Sequence, residues 1–426
     1  MKEKFRTNRD FLQNIAITLL SLSAVVLLAQ SQFYTLGVSS GVWDLFSPPT
    51  VQDGAVSPSA SMLSAPVQVA VTSTYGRYGS VTTTTADEEF EPLAQLLGDA
   101  LGTMGELTDC SAQLYLSALR TPSVFYDFLN PLPLPILANL AHTGSSEAEA
   151  ARQLLITAGE DSAELFLWDG DSRYLHCTTA LSVQALDQVL RYYEMGNAHF
   201  AMEFSASHPV TDHFVPSTLL PDQIPALPVL HSAVPHSSEN AHLLTALSFN
   251  PNTKFRYTDS SGTEVIEENG RTLRLQTDGT IHYQCSTNNS ILTIDAANDQ
   301  PTLLEAASGS GALLRSLLGS AAGESSLYLQ SILQSEHSLV LTFGYQVQGI
   351  PIRFSDGDSA AVVTLTGSTV SELTLRARQY TSGSSPSLLL PLRQALAVAQ
   401  AENSASLSIG YADDGSGSVS AGWLTE

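Results

Sequence analysis

Leu339-Val-Leu-Thr-Phe-Gly-Tyr-Gln-Val347, then Gln348-Gly349, then Ile350-Pro-Ile-Arg-Phe354, is the stretch that decides the fold. Leu339, Leu341, Phe343, Tyr345 and Val347 alternate with small or polar residues. A period of two puts the five on one face of a strand. Gln348-Gly349 has the length and chemistry of a two-residue hairpin turn, after which Ile350, Ile352 and Phe354 resume the alternation. One apolar face and one polar face mark an antiparallel sheet covered on one side. A parallel sheet, buried on both faces, reads as unbroken apolar runs instead.

The same grammar extends in both directions. Val363–Thr366, Gly367-Ser368 and Val370–Tyr380 read as a second hairpin, with Leu373, Leu375 and Ala377 inward and Thr374, Arg376 and Arg378 outward. Leu389–Ala401 is a helix with Pro391 in its first turn. Strands at Ser406–Tyr411 and Ser418–Leu424 flank Asp413-Asp414-Gly415. Upstream, short strands at Lys254–Tyr257, Glu264–Glu267, Thr272–Gln276 and Thr280–Cys285 precede a helix at Thr302–Leu318. A meander followed by a helix thus occurs twice, over 251–330 and 331–426. Antiparallel sheets each covered by helices make the class α+β.

Residues 66–250 read as an N-terminal α+β domain. Strands are expected at Val67–Val71, at Ser123–Leu129 (ended by Pro131-Leu-Pro-Leu-Pro135) and at His199–Phe204. Arg77-Tyr78-Gly79 is expected in a turn, and Glu164–Trp168 with Arg173–Thr178 as a hairpin. Helices are expected at Phe90–Leu107, Glu147–Ala158 and Ser182–Glu194, the last with Ser182 as N-cap. Pro209–Pro235 reads as a Pro- and His-rich connection.

No charged residue occurs between Phe11 and Trp43. About twenty apolar residues at 1.5 Å each cross a hydrocarbon core of ~30 Å. Lys2, Lys4, Arg6 and Arg9 precede this span, and the next basic residue is Arg77. The asymmetry predicts a cytoplasmic tail at 1–10, a transmembrane helix at 11–33 and a flexible spacer at 34–65 rich in Ser, Pro and Gly. Everything beyond is then extracytoplasmic, on a single-pass protein of the cell membrane. The rival reading is a cleaved secretory leader. The long apolar region, and Leu27 where a small residue would precede a cleavage site, favour the retained anchor. Asn14, Thr18 and Ser21 fall on one face of the span, as candidate contacts to a partner helix. Such mild polar residues are also tolerated singly in lipid.

The 426 residues carry a net charge of −24. The first ten hold four basic and two acidic side chains of the totals of 18 and 42. That leaves 14 basic and 40 acidic, a net of −26 beyond the tail. Such a surface repels nucleic acid and anionic lipid. Cys110, Cys177 and Cys285 are too few and odd in number for a disulfide framework.

Signatures of chemistry are sparse. There is no Gly-x-Ser-x-Gly elbow, no Ser-x-x-Lys beyond the tail, no His-Glu-x-x-His and no Cys-x-x-Cys; no catalytic, metal or cofactor residue is assigned. His208, His213, His231, His236 and His242 cluster in sequence, but with spacings that match no zinc pattern. His282 and Cys285 lie three apart on a strand, hence on opposite faces. Asp169-Gly-Asp171, Asp356-Gly-Asp358 and Asp413-Asp414-Gly415 lack the rest of a calcium loop and read as turns.

Several short motifs nonetheless occur in a recognisable order: Arg77-Tyr78-Gly79, Val124-Phe-Tyr-Asp-Phe-Leu129 with Pro131-Leu-Pro-Leu134, and Phe200-Ala-Met-Glu-Phe204. Phe255-Arg-Tyr257, Ser261-Gly-Thr263 and Tyr345-Gln-Val-Gln-Gly-Ile-Pro-Ile352 follow. With one N-terminal span, this order resembles the YycH/YycI family. These are membrane-tethered accessory proteins of an essential cell-wall sensor kinase of the WalK (YycG) type in low-GC Gram-positive bacteria. The resemblance implies no catalytic residue. It implies contact with a sensor histidine kinase, together with a related accessory protein in the membrane, and a role in signal transduction by a two-component system. The very acidic, Lys-poor surface departs from it. The alternatives are a cell-wall hydrolase, or a stand-alone extracellular binding or adhesion module.

Overall fold

The computed structural model describes residues 66–80, 90–139, 149–193, 196–204, 214–235, 240–285 and 291–425. The expected tail, transmembrane helix and spacer therefore lie outside the described residues, as do Asn14, Thr18 and Ser21. The hairpin that decides the fold forms in the expected register. β16 (Leu339–Val347) pairs antiparallel with β17 (Ile350–Phe354), and Val347 faces Ile350 across the turn. Gln348 and Gly349 have φ of 50° and 77°. Positive φ at both central residues is what the right-handed strand twist demands of so tight a turn.

The strands, in chain order, begin with β1 (Gln68–Ser73), β2 (Gly76–Ser80), β3 (Thr108–Cys110), β4 (Ser123–Pro133), β5 (Ala150–Ala158), β6 (Ala163–Trp168) and β7 (Tyr174–Thr178). These seven form one antiparallel sheet in the order β2-β1-β4-β5-β6-β7-β3. β8 (Ala198–Phe200) and β9 (Leu219–Pro221) pair with each other. The remaining strands are β10 (Pro228–Ala233), β11 (Arg256–Thr258), β12 (Glu264–Glu268), β13 (Arg271–Leu275), β14 (Thr280–Cys285), β15 (Ser326–Gln334), β18 (Ala361–Thr366), β19 (Thr369–Arg376), β20 (Gln379–Pro386), β21 (Leu407–Asp413) and β22 (Ser418–Thr425). With β16 and β17 they make a second sheet in the order β11-β12-β13-β14-β19-β18-β16-β17-β21-β22-β10-β20, with β15 on β16. Among the described residues, its one parallel ladder joins β17 to β21. The class is α+β with antiparallel sheets. The two meanders share the second sheet, because β14 pairs with β19.

The helices are α1 (Glu91–Gly102), α2 (Ala112–Ala118), α3 (Leu134–Asn139), α4 (Val183–Leu190), α5 (Ala201–Phe204), α6 (Asn240–Ala246), α7 (Leu303–Leu318) and α8 (Leu392–Glu402). Ser182 caps α4 by accepting from Ala185 N–H. Thr302 and Glu305 form a capping box at the start of α7. α3 packs on both α1 and α7. One apolar cluster accordingly runs from Leu97 and Leu137 through Leu314 to Phe343 and Leu373. A second cluster, with Tyr115, Phe125, Leu155, Phe166 and Phe200, covers the other face of the first sheet.

That double burial overturns the expected helix at Glu147–Ala158, of which 149–158 is described. Leu154 and Ile156 enter one cluster while Leu155 enters the other. The run is a central strand, β5, laddered on both sides. Tertiary pairing overrides the good helix propensity of Ala-Arg-Gln-Leu-Leu. Other boundaries shift as well. β4 continues to Pro133 through a bulge that removes Pro131 from the ladder and holds Leu129 at φ 63°, a tolerated place for proline. Of the expected strand His199–Phe204, only His199 and Phe200 belong to β8, and Ala201–Phe204 form α5. Arg77 follows the turn and belongs to β2. The expected strand Val370–Tyr380 divides after Arg376, and β20 leaves to pair with β10, a strand inside the expected connection Pro209–Pro235.

Candidate functional site

Two of the short motifs, far apart in the chain, meet. Gly79 lets them approach: a Cβ there would lie 2.6 Å from the Cβ of Ala198, so β2 passes close to β8. Arg77, 6% exposed, donates from Nη1 to Glu203 Oε2 at 2.5 Å and from Nε to Thr72 Oγ1 at 2.9 Å. Its guanidinium lies 4.0 Å from the centroid of the Phe200 ring, a favourable cation–π placement. The turn from β8 into α5 swings Glu203 back, so that Oε2 also accepts from Phe200 N–H at 3.0 Å. The Arg77 carbonyl accepts from the N–H groups of Gly196 and Asn197. Asn197 Oδ1 accepts from Gly79 N–H at 2.6 Å.

The same carboxylate has a further neighbour. His199 Nδ1 lies 3.5 Å from Glu203 Oε2, and its Nε2 lies 3.2 Å from Asp222 Oδ1. Burial pulls the Glu203 carboxyl upward. The hydrogen bond and charge of Arg77, the Phe200 N–H and His199 outweigh it, and the group sits below the ordinary glutamate value. Both partners of the imidazole are carboxylates, an arrangement that activates no nucleophile. What the geometry does is fasten the first sheet to the β8–β9 pair through a buried guanidinium.

Other sequence candidates are dispersed. His231 and His242 are exposed, and His208, His213 and His236 lie outside the described residues. Among the described residues no group of three or more His, Cys, Asp or Glu side chains could hold a metal ion. His282 faces Thr374 Oγ1 at 3.1 Å while Cys285 is buried on the opposite face of β14. Asp169-Gly-Asp171 turns between β6 and β7, and Asp169 Oδ1 accepts from the N–H groups of Asp171 and Arg173. Asp356-Gly-Asp358 likewise turns, and Arg376 pairs with both its acids.

Asp413 is more than a turn residue. It is 2% exposed, and its Oδ2 accepts from Tyr380 OH at 2.7 Å and Ser232 Oγ at 3.0 Å. Burial and then the Asp413 bond hold the Tyr380 phenol well above its ordinary value. One carboxylate therefore joins β10, β20 and β21. The signal was present: Leu407, Ile409, Tyr411 and Asp413 share one parity, and an acid at an inward position needs buried donors. In the first sheet Asp127, also buried, accepts from Gln153 Nε2 at 2.7 Å, and Gln153 Oε1 accepts from Tyr115 OH and Ser217 Oγ.

Among the described residues no helix is long and apolar enough to cross a membrane. No protein-family model, no curated protein and no solved structure matches the chain.

Proposed function

We propose that the chain is a membrane-tethered, extracytoplasmic regulator that acts by protein–protein contact on a sensor histidine kinase of a cell-wall two-component system. The observation that carries this reading is the uncharged stretch from Phe11 to Trp43 with basic residues only on its N-terminal side, which favours an anchored domain outside the membrane. The resemblance of the motif order to the YycH/YycI family supplies the partner. On this reading information passes through contact with a partner's helices in the bilayer plane. A tenfold bias between two kinase states requires about 1.4 kcal/mol. Interhelical polar contacts contribute roughly 0.6–2 kcal/mol each, so one or two from Asn14, Thr18 and Ser21 suffice.

The test is in-cell photocrosslinking from the 11–33 span of the full-length protein, followed by identification of the adduct. A histidine kinase adduct, with kinase output altered when Asn14, Thr18 and Ser21 are all replaced by Leu, is the expected result. An adduct pattern without any kinase refutes the partner. Normal insertion with unchanged output in the triple-Leu variant reduces the span to an anchor.

A further inference from the structure

A cleft of about 810 Å³ opens between the β1–β2 turn, Pro122 and the C-terminal end of α4. Sites for small organic ligands commonly have volumes of about 300–1,000 Å³ and combine rings with a few polar groups. Tyr193, 9% exposed, lines it and is braced by Tyr78 at 5.3 Å between ring centroids. Tyr75, on the turn, is 80% exposed. That turn is fixed at its base: Ser73 Oγ donates to the Gly76 carbonyl and accepts from Tyr75 N–H. The large ring is therefore presented to solvent on a tied turn. Across the cleft stand Asp187 and Arg191, an exposed i,i+4 pair at 3.7 Å, which contributes little to stability and keeps both charged groups at the solvent-facing rim.

The lining decides the class of ligand. One acid and one base cancel, so the cleft holds no excess charge for an ion. A phosphorylated or otherwise polyanionic ligand would meet a single guanidinium, already offset by Asp187, on a chain of net charge −24. A purely apolar ligand would use only the tyrosine rings and leave the polar rim of Thr74, Asp187 and Arg191 unengaged. A neutral ring with hydroxyls around an apolar C–H face satisfies every group. Its flat face lies on tyrosine, its hydroxyls donate to the Asp187 carboxylate, and its oxygens accept from Arg191. We propose that this cleft binds a neutral oligosaccharide. The inference rests on the cleft alone and not on the regulatory reading.

The test is calorimetric titration of the full-length protein, in a non-glycosidic detergent, with maltotriose, cellotriose and chitotriose. A proline-rich peptide and inorganic phosphate serve as further probes. Saturable binding of at least one trisaccharide is expected, weakened about tenfold by Tyr75→Ala and by Asp187→Asn and largely retained by Tyr75→Phe. Tyr75 is exposed enough that its removal leaves the fold intact, which far-UV circular dichroism checks. No saturable signal for any trisaccharide up to about 10 mM, or binding indifferent to Tyr75→Ala, overturns the proposal. Tyr75-dependent binding of the peptide in place of the sugars also overturns it and makes the cleft a peptide groove.

Discussion

Glu203→Gln isolates the charge at the junction of β2 and β8 while keeping its volume. The guanidinium it leaves behind is 6% exposed, whereas the Glu203 side chain is 32% exposed. Removing one member of a fully buried pair costs about 3–5 kcal/mol, and an exposed pair contributes about 0–1 kcal/mol. Glu203 is a third solvated, so the expected loss is about 2–3 kcal/mol, a large part of a typical total of 5–15 kcal/mol. Arg77→Leu combined with Glu203→Leu should cost less than Glu203→Gln alone, because no buried charge then lacks its partner. The assay is urea unfolding of the full-length protein in detergent, followed by far-UV circular dichroism.

The pH dependence gives a second readout. The folded Glu203 carboxyl lies below its unfolded value, through Arg77 and Phe200 overcoming burial. Its contribution is therefore fully present above the unfolded glutamate value of about 4.3 and is lost as pH falls through the folded value. The gap between wild type and Glu203→Gln should be present at pH 7 and close below about pH 4. A gap under about 0.5 kcal/mol at pH 7, or one that persists undiminished in acid, would refute the account of Arg77 and Glu203 as a coupled buried pair.

Asp413→Ala should cost about 3–4 kcal/mol, because it strands Tyr380 OH and Ser232 Oγ; Tyr380→Phe should cost less, and a double-mutant cycle should return a coupling of about 1–3 kcal/mol. Near-additive losses in that cycle would mean that the hydroxyl finds water or another acceptor. Gly79→Ala should destabilise by about 1–3 kcal/mol through the 2.6 Å clash with Ala198, and Ala198→Gly should restore much of the loss in thermal unfolding. Gly349→Ala should lower the unfolding midpoint by the equivalent of about 1 kcal/mol, since Gly349 has φ of 77°. Gln348→Asn at φ 50° should leave that midpoint unchanged or raise it.

How far the sequence discloses this molecule depends on whether a strand has one buried face or two. β18 buries strictly alternate residues and β16 does so over most of its length, and there the period of two carries register, turn and partner together. β4 and β5 are sandwiched between clusters, so apolar residues fall on both parities and the period vanishes. A run such as Gln153-Leu-Leu-Ile156 then reads equally as a helix, and only its neighbours decide. Polar sites follow the same logic. Asp413 stands at an inward position of a strand whose alternate residues are Leu, Ile and Tyr, so its burial is implied locally even though its donors are not. Arg77 offers no such cue. Its counter-charge lies on α5, with most of the first sheet's sequence in between. Gly79 shows the limit most directly. It is not among the residues with positive φ, so nothing in its own backbone requires glycine. The requirement comes from Ala198 on another strand, and is therefore a property of the assembled fold and not of any stretch of the chain.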